Sequence, residues 1–198
     1  MLLYHGSSKN ELNTLQPFTA NHGKPYVYFS TSEIAAAFFA ASPVQRPYYW
    51  FPYNFDNAGR AVYTEVYPGA FAEAYGQKSG CVYVCDVSED ALLRFPSDPF
   101  TRLSAKPVRV TRCCPISDLH EWFLQKEREN ALVIQRFETV AHSELASWHG
   151  KLLEDLRAAC ALTRKNAFSE FVQRAVPQVW ERFIAEPDYE CSYKNPMK

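Results

Sequence analysis

The 198-residue chain lacks any apolar run near the roughly 18 residues that a membrane-spanning helix requires. Its first residues lack the regions of a secretory signal peptide. Net charge is also nearly absent, since 21 basic and 22 acidic residues leave a formal value of −1. So small a charge gives no general attraction to nucleic acid or anionic lipid. We therefore expect a cytoplasmic protein with no membrane partner and no strong nucleic-acid signal.

None of the six cysteines lies in a C-x-x-C pair, the spacing typical of structural zinc sites. Cys81 and Cys85 lie four residues apart in an apparent strand, so their side chains share one face. That placement suits buried, reduced thiols. The sequence predicts free thiols and no metal site.

Glycine is scarce beyond residue 116, where only one of the seven occurs. Before that point, β-branched and aromatic runs bounded by breakers predict strands at LLYHG (2–6), PYVYFS (25–30), RAVYTEVY (60–67), GCVYVCDV (80–87) and KPVRVTR (106–112). The run 80–87 is apolar on both faces, as in a central strand. Helices are predicted at STSEIAAAFFAAS (30–42), with Ser30 and Glu33 at capping-box spacing, and at GAFAEAYG (69–76).

Residues 117–198 change character, because apolar side chains recur there at helical spacing. Helical stretches are predicted within 116–137, 142–166 and 167–186, and Pro177 is expected to kink the last helix or begin a new one. The chain is therefore predicted to be an α+β protein. It would comprise a β-rich domain, residues 1–116, with a helical C-terminal segment, residues 117–198, packed on it.

The first predicted strand contains a histidine, in the stretch LLYHGSS (residues 2–8). Strand alternation places His5 on the same face as Leu3. Gly6 and Ser7 follow, and they would end the strand with a backbone that a ligand can approach closely. The alternative is a histidine satisfied within the fold and a glycine that serves a turn.

YHGS (4–7) and GKPYVYFSTSEIAAAFF (23–39) together resemble the first two motifs of the ADP-ribosyltransferase superfamily, in its poly(ADP-ribose) polymerase and diphtheria-toxin branch. In that branch a strand carrying His-Gly and a strand ending in Tyr-Phe lead into a helix that supplies a further aromatic residue. RPYYWFPY (46–53) and YTEVYPGAF (63–71) resemble a group of short, mainly uncharacterised bacterial proteins.

The resemblance implies a split antiparallel sheet of ADP-ribosyltransferase type, with NAD bound bent in its cleft. His5 would hold a hydroxyl of the adenosine ribose, and the Gly6 backbone would pair with the nicotinamide amide. Tyr28 would stack on the cationic nicotinamide ring, with Phe38 or Phe39 on its other side. Three serines would support the nucleotide or the turns beside it: Ser7, Ser30 and Ser32.

The third motif of the superfamily, a carboxylate on a later strand, has no counterpart at its expected place. Such an acid stabilises the positive charge that develops on the ribose as nicotinamide leaves. The expected stretch, FTRLSA (100–105), contains no acid. Glu65 is the substitute candidate, because a strand at 60–67 would place it on one face between Tyr63 and Tyr67. The alternative there is a solvent face with cross-strand aromatic pairs.

SPVQRPYYWFPYNFDNAG (42–59) is the most aromatic segment of the chain. If it forms a lid over a nucleotide, Arg46 would meet the pyrophosphate and Tyr48 would cover the base. The alternative is a proline-ordered loop that packs its rings over the sheet edge.

Four functions are considered for these residues, and the first two fit them best. The first is an NAD-dependent ADP-ribosyltransferase acting on an unknown acceptor, and the second is a catalytically silent member of the fold that binds a nucleotide or a partner protein. A third function, RNA 2′-phosphate transfer to NAD, needs a cluster of basic ligands, of which only Lys24 and Arg46 are near. The fourth is an interaction module built on the helical segment.

Overall fold

The structure, a computed structural model, describes residues 1–19, 23–41, 53–95, 98–159 and 166–185. The strands, in chain order, are β1 (Leu2–Ser7), β2 (Thr14–Leu15), β3 (Phe18–Thr19), β4 (Pro25–Ser30), β5 (Tyr53–Phe55), β6 (Ala61–Thr64), β7 (Gly80–Asp86), β8 (Leu93–Phe95), β9 (Asp98–Ser104), β10 (Val108–Arg109), β11 (Arg112–Ile116) and β12 (Leu132–Gln135). The α-helices are α1 (Glu33–Ala37), α2 (Ala70–Tyr75), α3 (Leu119–Arg128), α4 (His142–Ala158), α5 (Ala167–Ala175) and α6 (Pro177–Ile184). Within these ranges no helix combines the length and the apolar composition needed to cross a bilayer.

The fold is mixed α+β with antiparallel sheets, and the largest sheet has the strand order β11-β7-β1-β4-β9-β8, with β3 beside β4. Smaller sheets pair β10 with β2 and arrange β12, β6 and β5 side by side. By contacts, the described residues form two compact units. The first comprises residues 1–41, 53–63 and 71–134, and the second comprises 64–70, 135–159 and 166–185. The first unit thus runs past residue 116.

One face of the largest sheet carries an apolar core. Leu15 of β2 and Val108 of β10 join it, so the small two-stranded sheet helps to cover this face. The buried members of the cluster are Leu3, Leu15, Val27, Phe29, Cys81, Tyr83, Cys85 and Val108. Since β7 lies between β11 and β1 and residues 80–85 are all buried, the prediction of a central strand at 80–87 is confirmed.

Helix α1 packs on the opposite face of the sheet through two glycines. A Cβ added to Gly6 would lie 1.9 Å from the carbonyl oxygen of Ala36, and one added to Gly80 would lie 2.3 Å from that of Ala40. Both distances are far below van der Waals contact, so only glycine permits this approach. The sequence predicts that a ligand approaches the Gly6 backbone closely. In the structure the group that makes this close approach is helix α1 of the same unit.

A cluster of aromatic rings forms a second core within the first unit. Phe38, which follows α1, stacks on Phe123 of α3 with ring centroids 5.0 Å apart, and it also contacts Tyr53, Tyr63 and Tyr75. The Tyr75 hydroxyl donates a hydrogen bond to the Phe38 carbonyl oxygen at 3.3 Å. These contacts fix the end of α1 against α2 and α3.

The second unit is largely helical, as its apolar spacing predicts. Helix α6 packs against both α4 and α5. Asn166 and Ser169 form a capping box at the start of α5, and Pro177 occupies the first turn of α6. The second of the two outcomes expected for Pro177, a new helix, is therefore the one observed.

Several predicted boundaries are wrong. Residues 106–112 are not one strand, because β10 pairs with β2 whereas β11 begins at Arg112 and pairs with β7. The predicted strand 60–67 ends at Thr64. Several strands were not anticipated, namely the short β2, β3, β5 and β8, β9 within DPFTRLS, and β12 within a stretch predicted to be helical. The stability of β9 and β12 comes from pairing with distant partners, which local pattern does not register.

The helix predicted over 30–42 is shorter, and its cap is Ser32 rather than Ser30. The Ser32 hydroxyl accepts a hydrogen bond from the Ala35 N–H at 3.3 Å. Ser30 instead remains in β4, where it pairs with Tyr4 and Thr101, and its hydroxyl accepts from the Ser32 N–H at 3.0 Å. Strand pairing on both sides keeps Ser30 extended and delays the helix by two residues.

We predict that Gly6→Ala destabilises the protein by about 3 kcal/mol or more, because its methyl group would overlap the Ala36 carbonyl. Gly150→Ala is the matched control, since Gly150 lies within α4 with open space around its Cβ position. That substitution should stabilise the helix by about 0.5–1 kcal/mol. Chemical denaturation measures both changes, and equal effects of the two substitutions would contradict the packing assigned to α1.

Candidate functional site

The candidate site lies where β1 and β4 stop pairing. β1 pairs with β7 along its whole length, from Leu2 opposite Asp86 to Ser7 opposite Cys81. With β4 it has a single paired position, Tyr4 opposite Ser30. The two strands therefore separate at His5, and the side chain of this residue bridges the gap. His5 Nδ1 lies 2.8 Å from the carbonyl oxygen of Tyr28.

This hydrogen bond determines the tautomer of His5. A carbonyl oxygen can only accept, so Nδ1 carries the proton and Nε2 of the neutral ring presents a lone pair. Burial lowers the pKa of His5, and the hydrogen bond to Tyr28 opposes this effect only in part. The ring is therefore neutral at pH 7. The described residues make one hydrogen bond with this ring, through Nδ1, which leaves Nε2 as an acceptor for a donor from a ligand.

The phenol of Tyr28 lies on the other side of the sheet from the His5 ring. Val27 and Phe29 point into the apolar core, and His5 contacts Phe29 edge-on at 6.2 Å. Strand alternation turns Tyr28 to the opposite face, where its ring contacts Phe18 and Tyr26. The structure thus brings His5 to the backbone of Tyr28, not to its phenol.

Phe18 is a neighbour of Tyr28 that the sequence analysis missed. It is 53% exposed, and its ring centroid lies 6.0 Å from that of Tyr28. Its strand, β3, pairs with β4 so that Phe18 is opposite Tyr26. The sequence does contain a signal for this contact. Gly23 precedes the strand PYVYFS, and a turn glycine there favours a hairpin that pairs this strand with an apolar residue before the turn.

The three serines of the predicted site serve local turns. The Ser7 hydroxyl accepts a hydrogen bond from the Lys9 N–H at 3.1 Å, just after β1 ends. Ser30 and Ser32 support the passage from β4 into α1, as described above. All three are partly exposed and stand at the ends of β1 and β4.

The two candidate stacking residues of α1 have different environments. Phe38 is fully buried within the aromatic core, so both faces of its ring are taken by protein. Phe39 is 45% exposed and contacts Tyr53 edge-on. Phe39 is therefore the more exposed of the two rings. Arg46 and Tyr48 lie outside the described residues.

The strand next to Tyr28 lacks a carboxylate facing the site. β9 places Leu103 opposite Tyr28, Arg102 opposite Phe29 and Thr101 opposite Ser30. Asp98, the nearest acid upstream, accepts hydrogen bonds from the Thr101 hydroxyl at 2.6 Å and from the Phe100 N–H at 2.8 Å. The acid missing from FTRLSA in the sequence is thus not supplied by another residue of β9.

Glu65 has a structural partner, and both residues belong to the second unit. It is 6% exposed, and its Oε2 accepts a hydrogen bond from the Phe137 N–H at 3.2 Å. Its own N–H donates to the Gln135 carbonyl at 3.0 Å. The alternative of a solvent-exposed face is therefore wrong, because Tyr63, Glu65 and Tyr67 are all buried.

Comparisons with protein-family models, with curated proteins and with solved structures found no match to this chain. The site is therefore interpreted on its own geometry: a neutral imidazole with an available acceptor, at the point where two strands separate, and an aromatic group on the far face.

We predict that the low pKa of His5 makes the protein less stable in acid. At pH values below the ordinary histidine pKa of 6.5, the unfolded chain binds a proton that the folded protein resists, so the free energy of unfolding falls as pH decreases. His5→Asn keeps an N–H for the Tyr28 carbonyl but does not titrate. Its free energy of unfolding should therefore fall less than that of the wild type between about pH 7 and pH 5, as measured by urea denaturation. An identical pH dependence would contradict the buried, neutral state of His5.

We also predict that Glu65→Ala costs about 1–3 kcal/mol, because the Phe137 N–H loses its acceptor. Glu65→Gln retains a carbonyl oxygen at that place and should cost less. Denaturation of the three proteins tests this order. Equal losses for the two variants would show that the hydrogen bond to Phe137 contributes nothing.

Proposed function

We propose that this chain is an ADP-ribosyltransferase-like protein that binds NAD at the gap between β1 and β4. The observation that carries the proposal is the hydrogen bond from His5 Nδ1 to the Tyr28 carbonyl. It holds the imidazole in one tautomer at the separation of the strands and leaves Nε2 as an acceptor. A ribose hydroxyl is a donor that suits this acceptor.

The alternate faces of His5 and Tyr28 constrain how a dinucleotide would bind. Since the two rings lie on opposite faces of the sheet, the proposal assigns the ligand to the face of His5, where Nε2 is the acceptor. The adenosine ribose would be held at His5, and the stacking role expected of the Tyr28 phenol is not retained, because that ring lies on the other face.

In this proposal the protein transfers ADP-ribose to an acceptor whose identity is open. Departure of nicotinamide leaves positive charge on the ribose, and a carboxylate lowers the energy of that state. Glu65, the candidate that the sequence offers for this role, belongs to the second unit and accepts a hydrogen bond from the Phe137 N–H, so the proposal leaves the carboxylate unassigned. A cytoplasmic location also belongs to the proposal, and it accords with the four free cysteines of the described residues.

A second candidate function is favoured by β9. In the pairing of β4 with β9, Tyr28 is opposite Leu103 and Phe29 is opposite Arg102. The Asp98 carboxylate accepts hydrogen bonds from Thr101 and Phe100. Because Asp98, the one acid of β9, is engaged in these local hydrogen bonds, the same site would bind a nucleotide or a partner without releasing nicotinamide. This is the catalytically silent form of the fold.

We predict that Nε2 of His5 contributes to NAD affinity and that Nδ1 does not, which calorimetry with NAD on two His5 variants measures. His5→Asn places an amide N–H near Nδ1 and removes the Nε2 acceptor, so NAD affinity should fall by about 5–30-fold, as for the loss of one hydrogen bond. His5→Gln places its amide oxygen near Nε2 and should bind NAD more tightly than His5→Asn. Denaturation of both variants separates loss of binding from loss of fold.

The same samples should be assayed for free nicotinamide. Nicotinamide released by the wild type and lost in His5→Asn would support transfer. Binding without release would support the silent form. No heat from the wild-type protein at millimolar NAD, or equal affinity of the wild type and His5→Asn, would overturn NAD binding at His5.

A further inference from the structure

Two cysteines lie side by side at one edge of the largest sheet, away from the uses assigned above. Cys81 of β7 and Cys113 of β11 have their sulfur atoms 3.4 Å apart. They are diagonal neighbours, because Cys113 is opposite Tyr83 and Cys81 is opposite Pro115. We propose that Cys81 and Cys113 are a modification site, at which a peroxide converts the two thiols into a reversible disulfide.

The two thiols have the different exposures that such a site requires. Cys113 is exposed, so a small oxidant can reach its sulfur. Cys81 is 1% exposed and lies behind it, protected from direct oxidation. The exposed sulfur would therefore react first, and the buried sulfur would resolve the product.

Hydrogen bonds already order the pair. The Cys113 thiol donates to the sulfur of Cys81, and the Cys81 thiol donates to Oδ1 of Asn10 at 3.2 Å. Burial raises the pKa of Cys81, and the adjoining Cys113 thiol raises it further. Cys81 is thus a thiol at neutral pH, and it is held within reach of Cys113 without being reactive by itself.

The chemistry balances with one peroxide. The Cys113 sulfur attacks a peroxide oxygen, the O–O bond breaks, and one water leaves as the sulfenic acid forms. The Cys81 sulfur then attacks the sulfur of Cys113, the S–O bond breaks, and the Cys81 proton leaves with the hydroxyl as a second water. Two thiols are oxidised by two electrons in total and one peroxide is reduced to two waters. A dithiol reductant reverses the change.

The neighbouring thiols provide the specificity control. Cys114 follows Cys113 in β11 and is opposite Val82, so strand alternation directs it to the other face. Cys85 is on the face of Cys81 but is fully buried and opposite Leu3. Neither is predicted to join the disulfide.

We predict that hydrogen peroxide treatment of the full chain, followed by thiol blocking, proteolysis and mass spectrometry without reduction, yields a peptide pair linked through Cys81 and Cys113. Dithiothreitol should restore both thiols. The linked pair should be lost in Cys113→Ser and unchanged in Cys114→Ser, the matched control from the same strand. In Cys81→Ala, which lacks the resolving thiol, dimedone labelling of Cys113 should increase relative to the wild type.

Several results would overturn the site. They are a Cys113 that stays reduced while other cysteines are oxidised, a Cys113 converted only to sulfinic acid, or a disulfide from Cys113 to any cysteine except Cys81. If Cys81→Ala does not fold, the comparison of the wild type with Cys113→Ser and Cys114→Ser still decides the question. None of these measurements involves NAD, so the outcome is independent of the function proposed for His5.

Discussion

The approach of helix α1 to the backbones of Gly6 and Gly80 is the constraint on which the first unit depends. A methyl group at either position would overlap a main-chain carbonyl of the helix segment, so the helix lies on the sheet only because both residues are glycine. That position places Phe38 in the aromatic core with Phe123 and keeps the short turn from Ser30 to Ser32 beside β1. A wider spacing would separate the helix from the end of β4 and from His5.

His5 is adjacent to that packing and uses the opposite face of the same strand. The helix segment packs against Gly6 on one face of β1. On the other face the His5 side chain forms a hydrogen bond with the Tyr28 carbonyl, at the place where β1 and β4 no longer pair. The imidazole therefore replaces a strand-to-strand hydrogen bond at the place where the sheet opens. One consequence is structural, because the gap is held by a side chain. The other is functional, because the same bond leaves Nε2 as the acceptor available to a ligand.

The regular elements with strong local signals could be predicted, and the site only in part. β1, β4 and β7 follow from apolar runs bounded by glycine, proline and polar residues, and Pro177 begins a helix as its fixed φ favours. β9 and β12 were missed, since DPFTRLS and LVIQ become strands by pairing with distant segments. His5 was selected correctly as a strand residue. Its link to a backbone carbonyl, rather than to the Tyr28 phenol, depends on the register of two strands that a one-residue shift would reverse.

By itself, the sequence determined the mixed α+β class, the central strand with its buried thiols and the helical character of the residues after 116, because these depend on periodicity and on breakers close in the chain. Only the tertiary structure decided which carbonyl lies against Gly6, which of Phe38 and Phe39 is buried, and that Cys113 lies against Cys81. Each of these is a contact between segments far apart in sequence. The geometry of such a contact depends on the register of the strands and on how a helix packs on a sheet. A local sequence pattern does not determine either of these.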